Sequence, residues 1–254
     1  MPFFPGAQMA INYVVSGALG TIVEARNSFL HASDLDKSKP IGWKRQNEFC
    51  GDAGVLNDLG MHTWHVPLRL GWAPESVFGV FQNIVTERPG PEGSLVECDT
   101  WDNVTLHSWA RHEGTPFPLT TETKRIDPGQ KNKWVLEAIG MDGSVRFSTK
   151  NPKSVEIFSI VDVAGAGKEH AWQHIDSGSQ SVWPTVTGPN FEFGFSDSIL
   201  QMWASFLAER EGLLGDRFGC VTPQEAAATH SIYRAGLEST VHMAPRPSQH
   251  VCEI

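Results

Sequence analysis

Apolar residues recur along this chain with two different periods, and the change from one to the other outlines its elements. After Pro5, a natural first helical position, Ala7, Met9, Ala10, Ile11, Val14 and Val15 follow with helical recurrence until Ser16-Gly17. The run from Thr21 to Leu30 then alternates as a strand does, and residues 31 to 50, with Asp34, Asp36, Ser38, Pro40 and Gly42, read as a loop. From Ser76 onward strands predominate, at 76–86, 99–111, 119–126, 134–139, 145–149 and 155–161, with a weaker candidate at 170–175. Short turns join them, notably Pro89 to Gly93 and Met141-Asp-Gly143, which favours a mostly antiparallel sheet. Two helices close the chain. The first runs from Phe195 to Leu214 on the apolar set Ile199, Leu200, Trp203, Phe206 and Leu207. The second starts at the capping box Thr222-Pro-Gln-Glu225 and runs to about Met243, before a polar tail containing Pro245 and Pro247.

The stretch from Gly51 to Trp72 sits between these patterns and carries the candidate chemistry. A helix beginning near Val55 places Asp58, His62, His65 and Arg69 at steps of four, three and four residues, hence on one face. Leu56, Leu59, Trp64, Leu68 and Leu70 bury the neighbouring surface, Gly71 is placed to end the helix, and Pro67 removes the backbone bond to Thr63. Each residue also has a bland reading. Asn57 or Asp58 is a helix cap, His62 a satisfied buried histidine and His65 a bystander. Asp58 one turn before His62 favours a coupled acid and imidazole.

At 254 residues the chain forms one large domain or two small ones, and 40% hydrophobic content with 9 Trp and 14 Phe is globular. A formal charge of −9 argues against a nucleic-acid partner, whose phosphates demand clustered Lys and Arg. Cys50, Cys98, Cys220 and Cys252 are widely spaced, which indicates neither a zinc ribbon nor a disulfide framework and suits a reducing cytoplasm. No basic start with a long apolar run opens the chain, and no run of about eighteen apolar residues occurs, so neither export nor a membrane span is expected.

No GxGxxG follows a strand, and no Walker A loop, GxSxG elbow or HExxH occurs. The small-residue run Ala164-Gly-Ala-Gly167 reads as a turn. The chemical rival is a metal site: Asp58, His62 and His65 offer one oxygen and two nitrogens, with His31 or Cys50 to complete a shell.

The segment Gly54-Val-Leu-Asn-Asp-Leu-Gly-Met-His62 resembles the "GGxLxDxGxH" signature in the carboxy-terminal domain of the Gfo/Idh/MocA oxidoreductases. Pro5-Gly-Ala-Gln8 with Val15-Ser-Gly-Ala-Leu-Gly20 is similar to the family's "PAxQxAxxxIxSGxLG" opening of that domain. Gly42-Trp43-Lys44 is similar to its Trp-basic step, and the two closing helices to its ending. The resemblance implies a single α+β domain over residues 1–254: a large, mostly antiparallel open sheet with helices packed on one face, binding substrate on one side and pairing with another subunit through the sheet. Asp58 and His62 occupy the positions that face substrate and nicotinamide in the family. Where the family commonly has a second Asp three residues after the His, this chain has His65.

The family's amino-terminal Rossmann domain, with its glycine fingerprint and its Glu-Lys-Pro lysine, has no counterpart in these residues; Ser38-Lys-Pro40 matches it only superficially. The expectation is thus the substrate and catalytic half of an NAD(P)-dependent oxidoreductase of a sugar, polyol or related hydroxy compound, whether from a truncated gene, a trimmed polypeptide or a stand-alone domain. His62 is the expected base and Asp58 its orienting partner, while Lys44, Trp43 and His65 are candidate substrate contacts. Neither dinucleotide binding nor turnover is expected of the chain alone. The alternative is a non-catalytic binding or oligomerisation module using the sheet face.

Overall fold

The computed structural model describes residues 1–176 and 178–242; the polar tail with Pro245, Pro247 and Cys252 lies outside the described residues. The opening helix α1 (Pro5–Val15) begins at its proline as expected. It is followed by β1 (Ile22–Leu30), a short helix α2 (Asn47–Cys50) and a π-helical turn at Leu56–Gly60 that runs directly into α3 (Met61–Arg69). Strands β2 (Ser76–Gln82), β3 (Glu87–Pro89), β4 (Leu95–Glu97), β5 (Asn103–His112), β6 (Thr115–Lys124), β7 (Lys133–Gly140), β8 (Ser144–Ser148), β9 (Ser154–Val163) and β10 (Gly167–Asp176) come next. Helices α4 (Phe195–Arg210) and α5 (Pro223–His242) end the described chain.

Eight strands form one sheet in the order β10-β9-β8-β7-β1-β6-β5-β2, and β3 pairs with β4 in a separate ribbon. Only β1 and β6 run parallel; all other pairs are antiparallel. The fold is therefore α+β with a mostly antiparallel sheet. The three-residue strands β3 and β4, too short to show a period, went unread in the sequence, which gave only the turn between them.

Alternation along the strands separates two faces. The inner one carries Ala25, Phe29, Leu106, Leu119, Trp134, Leu136, Val145 and Phe147, buried beneath α1, the π turn, α3 and α5. The outer one carries ion pairs, Arg26 with Glu24 and Glu137, Lys124 with Glu122, and Arg146 with Glu156, beside the exposed Trp109, Ile160 and Trp172.

Helix α4 is built inside out. Its buried residues are Ser198, Gln201 and Ser205. The backbone N–H of Trp183 donates to Gln201 (2.7 Å), Gln201 donates back to the Trp183 carbonyl (2.9 Å), and the Trp183 indole donates to Ser205 (2.9 Å). The apolar set that reveals this helix in the sequence is left largely outside, with Leu200, Trp203 and Leu207 each more than half exposed.

Two buried donors fix α3 over the sheet. Pro67 supplies no N–H to the Thr63 carbonyl, and the side chain of Asn27, on the inner face of β1, donates to that oxygen instead at 2.7 Å. Without this donor a buried carbonyl would stand unpaired, at a cost of about 1–3 kcal/mol. The Trp134 indole donates to the carbonyl of His62 at 2.7 Å, and Gly71 ends the helix with φ +74°, as its position implies. Gly60, in the π turn, meets α5 closely: a Cβ there would lie 2.0 Å from the hydroxyl of Tyr233, so this signature glycine answers a packing demand.

Candidate active site

The π turn determines where the acid of the signature points. It shifts Asp58 out of α-helical register with α3, and the expected single face divides into two clusters because, within α3 itself, His62 packs on Phe29 while His65 packs on Phe218. Asp58 is not a cap; it lies inside the turn, and neither helical segment has a side-chain cap bond at its start. Asn57 instead donates to the Cys50 carbonyl at 2.8 Å.

In the first cluster the Asp58 carboxylate receives two cations. Lys44 Nζ stands 2.8 Å from Oδ1 and 2.9 Å from Oδ2, and Arg125 Nη2 stands 2.8 Å from Oδ2. Burial alone would raise the carboxyl's pKa, but the Lys44 ammonium and the Arg125 guanidinium outweigh it and hold the group below its ordinary value. Lys44 reaches this position from a 3₁₀ turn, Trp43–Arg45, held from below: its carbonyl accepts from Arg125 Nη1 (2.9 Å) and from the Thr100 hydroxyl (3.0 Å). The same turn buries Arg45, which pairs with the fully buried Asp102. Trp43 is 54% exposed, with the Lys44 ammonium 5.5 Å from its ring centroid.

His62 lies beside this cluster and is not bonded to it. Among the described residues no hydrogen bond joins Asp58 to His62, so Asp58 acts on the imidazole through its charge rather than as the hydrogen-bonding partner the spacing suggested. The ring packs edge-on to Phe29 with centroids 5.1 Å apart, and His31 flanks the same phenyl at 4.6 Å. Solvent reaches one side of His62, while the protein around the rest desolvates it. That desolvation, opposed by the Asp58 charge, draws its pKa down to about 4. His31 is lowered for the same leading reason, with Asp58 again opposing and Lys44 and Arg125 assisting. Both imidazoles are therefore neutral at pH 7.

The second cluster takes His65 away from the first. This residue is 5% exposed and packs against Phe218 at 4.9 Å, near Arg69, which is paired with Glu225 and donates to the Cys220 carbonyl. Burial leads, and the Arg69 cation assists, in lowering the His65 pKa to about 3. The substrate contact expected of His65 is thus not brought to Asp58 and His62. The metal alternative fails with it, because among the described residues no group of three or more His, Cys, Asp or Glu is placed to hold an ion. Cys50 is buried, its thiol donating to the Gly54 carbonyl at 3.3 Å.

Two members of the first cluster are not site candidates on the sequence reading above. His31 enters there only as a metal ligand. Arg125 does not enter there, although β6 buries Phe117, Leu119, Thr121 and Thr123 at alternate positions and Arg125 continues that phase.

No family model matches the chain. Levoglucosan dehydrogenase from Pseudarthrobacter phenanthrenivorans is 24% identical over 245 residues, covering 87% of this chain and 58% of that protein. Among solved structures, levoglucosan dehydrogenase in complex with NADH and L-sorbose superposes with a TM-score of 0.75 at 22% identity, over 94% of this chain and 62% of the other. An NAD binding oxidoreductase from Klebsiella pneumoniae gives 0.77 at 22% identity over the same shares, 94% and 62%. An inositol dehydrogenase homolog complexed with NAD+ from Azotobacter vinelandii gives 0.71 at 14%, over 96% and 62%. The chain shares its fold with the matched part of these oxidoreductases. The chain spans about three fifths of the length of these relatives.

Two of these solved relatives hold NAD(H), which raises the question of what in these residues could cradle a dinucleotide. Ala164–Gly167 is the turn of the β9–β10 hairpin, with Gly165 and Gly167 at positive φ and no helix following, and so forms no phosphate loop. That turn does not fit the pyrophosphate of the cofactor.

The buried imidazoles predict acid sensitivity. A histidine whose folded pKa lies below its unfolded value of 6.5 stabilises the fold above pH 6.5, and that stability is lost as the pH falls toward the folded value. Denaturant unfolding from pH 6.5 to 5 should show falling stability, and His65→Phe should reduce the slope by about 1.4 kcal/mol per pH unit, the contribution of one proton. An unchanged slope in the variant would contradict the assignment.

Proposed function

We propose that this chain is the substrate-binding and proton-accepting half of an NAD(P)-dependent oxidoreductase acting on a sugar, a polyol or a related hydroxy compound. One observation carries the reading: a neutral, solvent-reached imidazole, His62, its ring without a hydrogen bond among the described residues, stands beside a carboxylate–ammonium pair. A carbinol hydroxyl at a free His62 nitrogen would give its proton to the ring as hydride leaves the carbon, and the Asp58 charge would favour the resulting imidazolium. Lys44, paired with Asp58, has a further N–H to offer an oxygen of the substrate, with Trp43 as an apolar wall. L-Sorbose and levoglucosan in the complexes of levoglucosan dehydrogenase support a hydroxylated substrate. Because the one glycine-rich candidate, Ala164–Gly167, is a hairpin turn, the chain alone neither holds the cofactor nor turns over in this reading.

A second reading is self-association through the open sheet face, favoured by the exposed Trp109, Ile160 and Trp172 among its ion pairs. No described helix is long and apolar enough to cross a membrane.

The test joins this chain to the dinucleotide-binding part of levoglucosan dehydrogenase and follows cofactor reduction with sugars and polyols. Turnover is expected, with His62→Ala slowing it by about 10²–10⁴-fold, the usual contribution of a general base. An unslowed His62→Ala enzyme, or micromolar NAD binding by the 254-residue chain alone, contradicts the reading.

A further inference from the structure

Arg125 is 2% exposed and lies beyond the end of β6, where its own main chain is tied on both sides: its N–H donates to the Asp102 carbonyl (3.1 Å) and its carbonyl accepts from Asp34 N–H (3.2 Å). From this anchored point one guanidinium reaches two segments distant in sequence. Nη1 donates to the main-chain carbonyl of Lys44 at 2.9 Å, and Nη2 lies 2.8 Å from the carboxylate of Asp58. A planar fork can serve a carbonyl and a carboxylate at once, which a lysine ammonium at the same site cannot match in geometry.

We propose that Arg125 is the positioning residue of the site. It holds the Asp58 carboxylate and the main chain of Lys44 on one frame and withholds most of Asp58's charge from the imidazoles of His62 and His31. The inference rests on the oxidoreductase reading for its purpose, since a base must be unprotonated to accept the hydroxyl proton. Its physical content stands without any catalysis.

The groups that bear on these rings are few. His62 faces Asp58 from the π turn, Lys44 from the 3₁₀ turn, His31 from the end of β1, His65 along its own helix and the amino group of Met1. His31 faces Asp58, Lys44, Arg125 and Asp34. Asp58 pushes both imidazoles toward protonation. Arg125, in ion contact with Asp58 and 2% exposed, is the buried counter-charge that opposes this push.

The experiment is a pH titration of the imidazole Cε1–H resonances of His31 and His62 by NMR, on the 254-residue chain, with the thermal midpoint of each variant measured alongside. In Arg125→Met both midpoints should rise, by on the order of one unit, because Asp58 is no longer compensated from below. In Arg125→Lys, which restores the charge but not the fork, they should return most of the way, while the Lys44 and Asp58 resonances remain shifted. Asp58→Asn, which leaves Arg125 in place, should lower both midpoints and remains informative if Arg125→Met does not fold. Unmoved midpoints in a folded Arg125→Met, or in Asp58→Asn, would overturn the proposal and reduce Arg125 to a structural ion-pair member. Loss of turnover in the joined enzyme with these midpoints behaving as expected would instead count against the oxidoreductase reading alone.

Discussion

A carboxylate drawn out of bulk water must be met by donors that were in place before it arrived, and in this molecule that requirement organises the site. Asp58 sits in a wide helical turn above the sheet, and both of its oxygens are occupied by cations from other segments. The pair with Arg125 is buried on the arginine side, where removing one partner of such a pair costs about 3–5 kcal/mol. Lys44, half exposed, contributes less to stability and more to the surface that a substrate would meet. The π turn, the loop carrying Trp43 to Arg45 and the end of β6 are thus held to each other through polar atoms, while the hydrocarbon beneath them holds α3 to the sheet.

This arrangement divides the signature helix between two tasks. At its start it supplies Asp58 and His62 to an open surface; at its end His65 and Arg69 are sealed against Phe218 and Glu225. Asn27 and Trp134 tie the middle of the helix to the inner face, compensating for the proline that interrupts its ladder. Neutral imidazoles follow from the same burial that stabilises the packing. The site's capacity to accept a proton and its position over a rigid sheet therefore have one physical cause.

Much of the fold could be read from local chemistry, because the signals were local. Pro5 starts α1, Gly71 stops α3, and Thr222 and Glu225 form a reciprocal box at the start of α5, with the N–H of Thr222 donating to Glu225 at 2.8 Å and the N–H of Glu225 to Thr222 at 3.2 Å. Eight alternating runs became the eight strands of the sheet. What stayed hidden was whatever depended on long-range register. The spacing of Asp58, His62 and His65 promised one face and delivered two clusters, because Phe29 and Phe218, distant in sequence, decide where the two rings pack. Arg125 meets Asp58 because the π turn packs directly on β6, a contact between segments far apart in the chain, although its phase in the alternating strand marked it as an inward-facing cation. The apolar set of α4 marked a helix correctly and gave no hint that its polar side is the buried one.

The claim at the centre of this account is that the surface formed by Trp43, Lys44, Asp58, His62 and His31 is where a hydroxylated ligand sits. Titrating the chain with levoglucosan and mapping the resonances that move tests it most directly. The account predicts saturable shifts at His62, His31, Lys44 and the Trp43 indole, diminished in Lys44→Met. Shifts confined to the outer face of the sheet or to α4, with these resonances still, would contradict it.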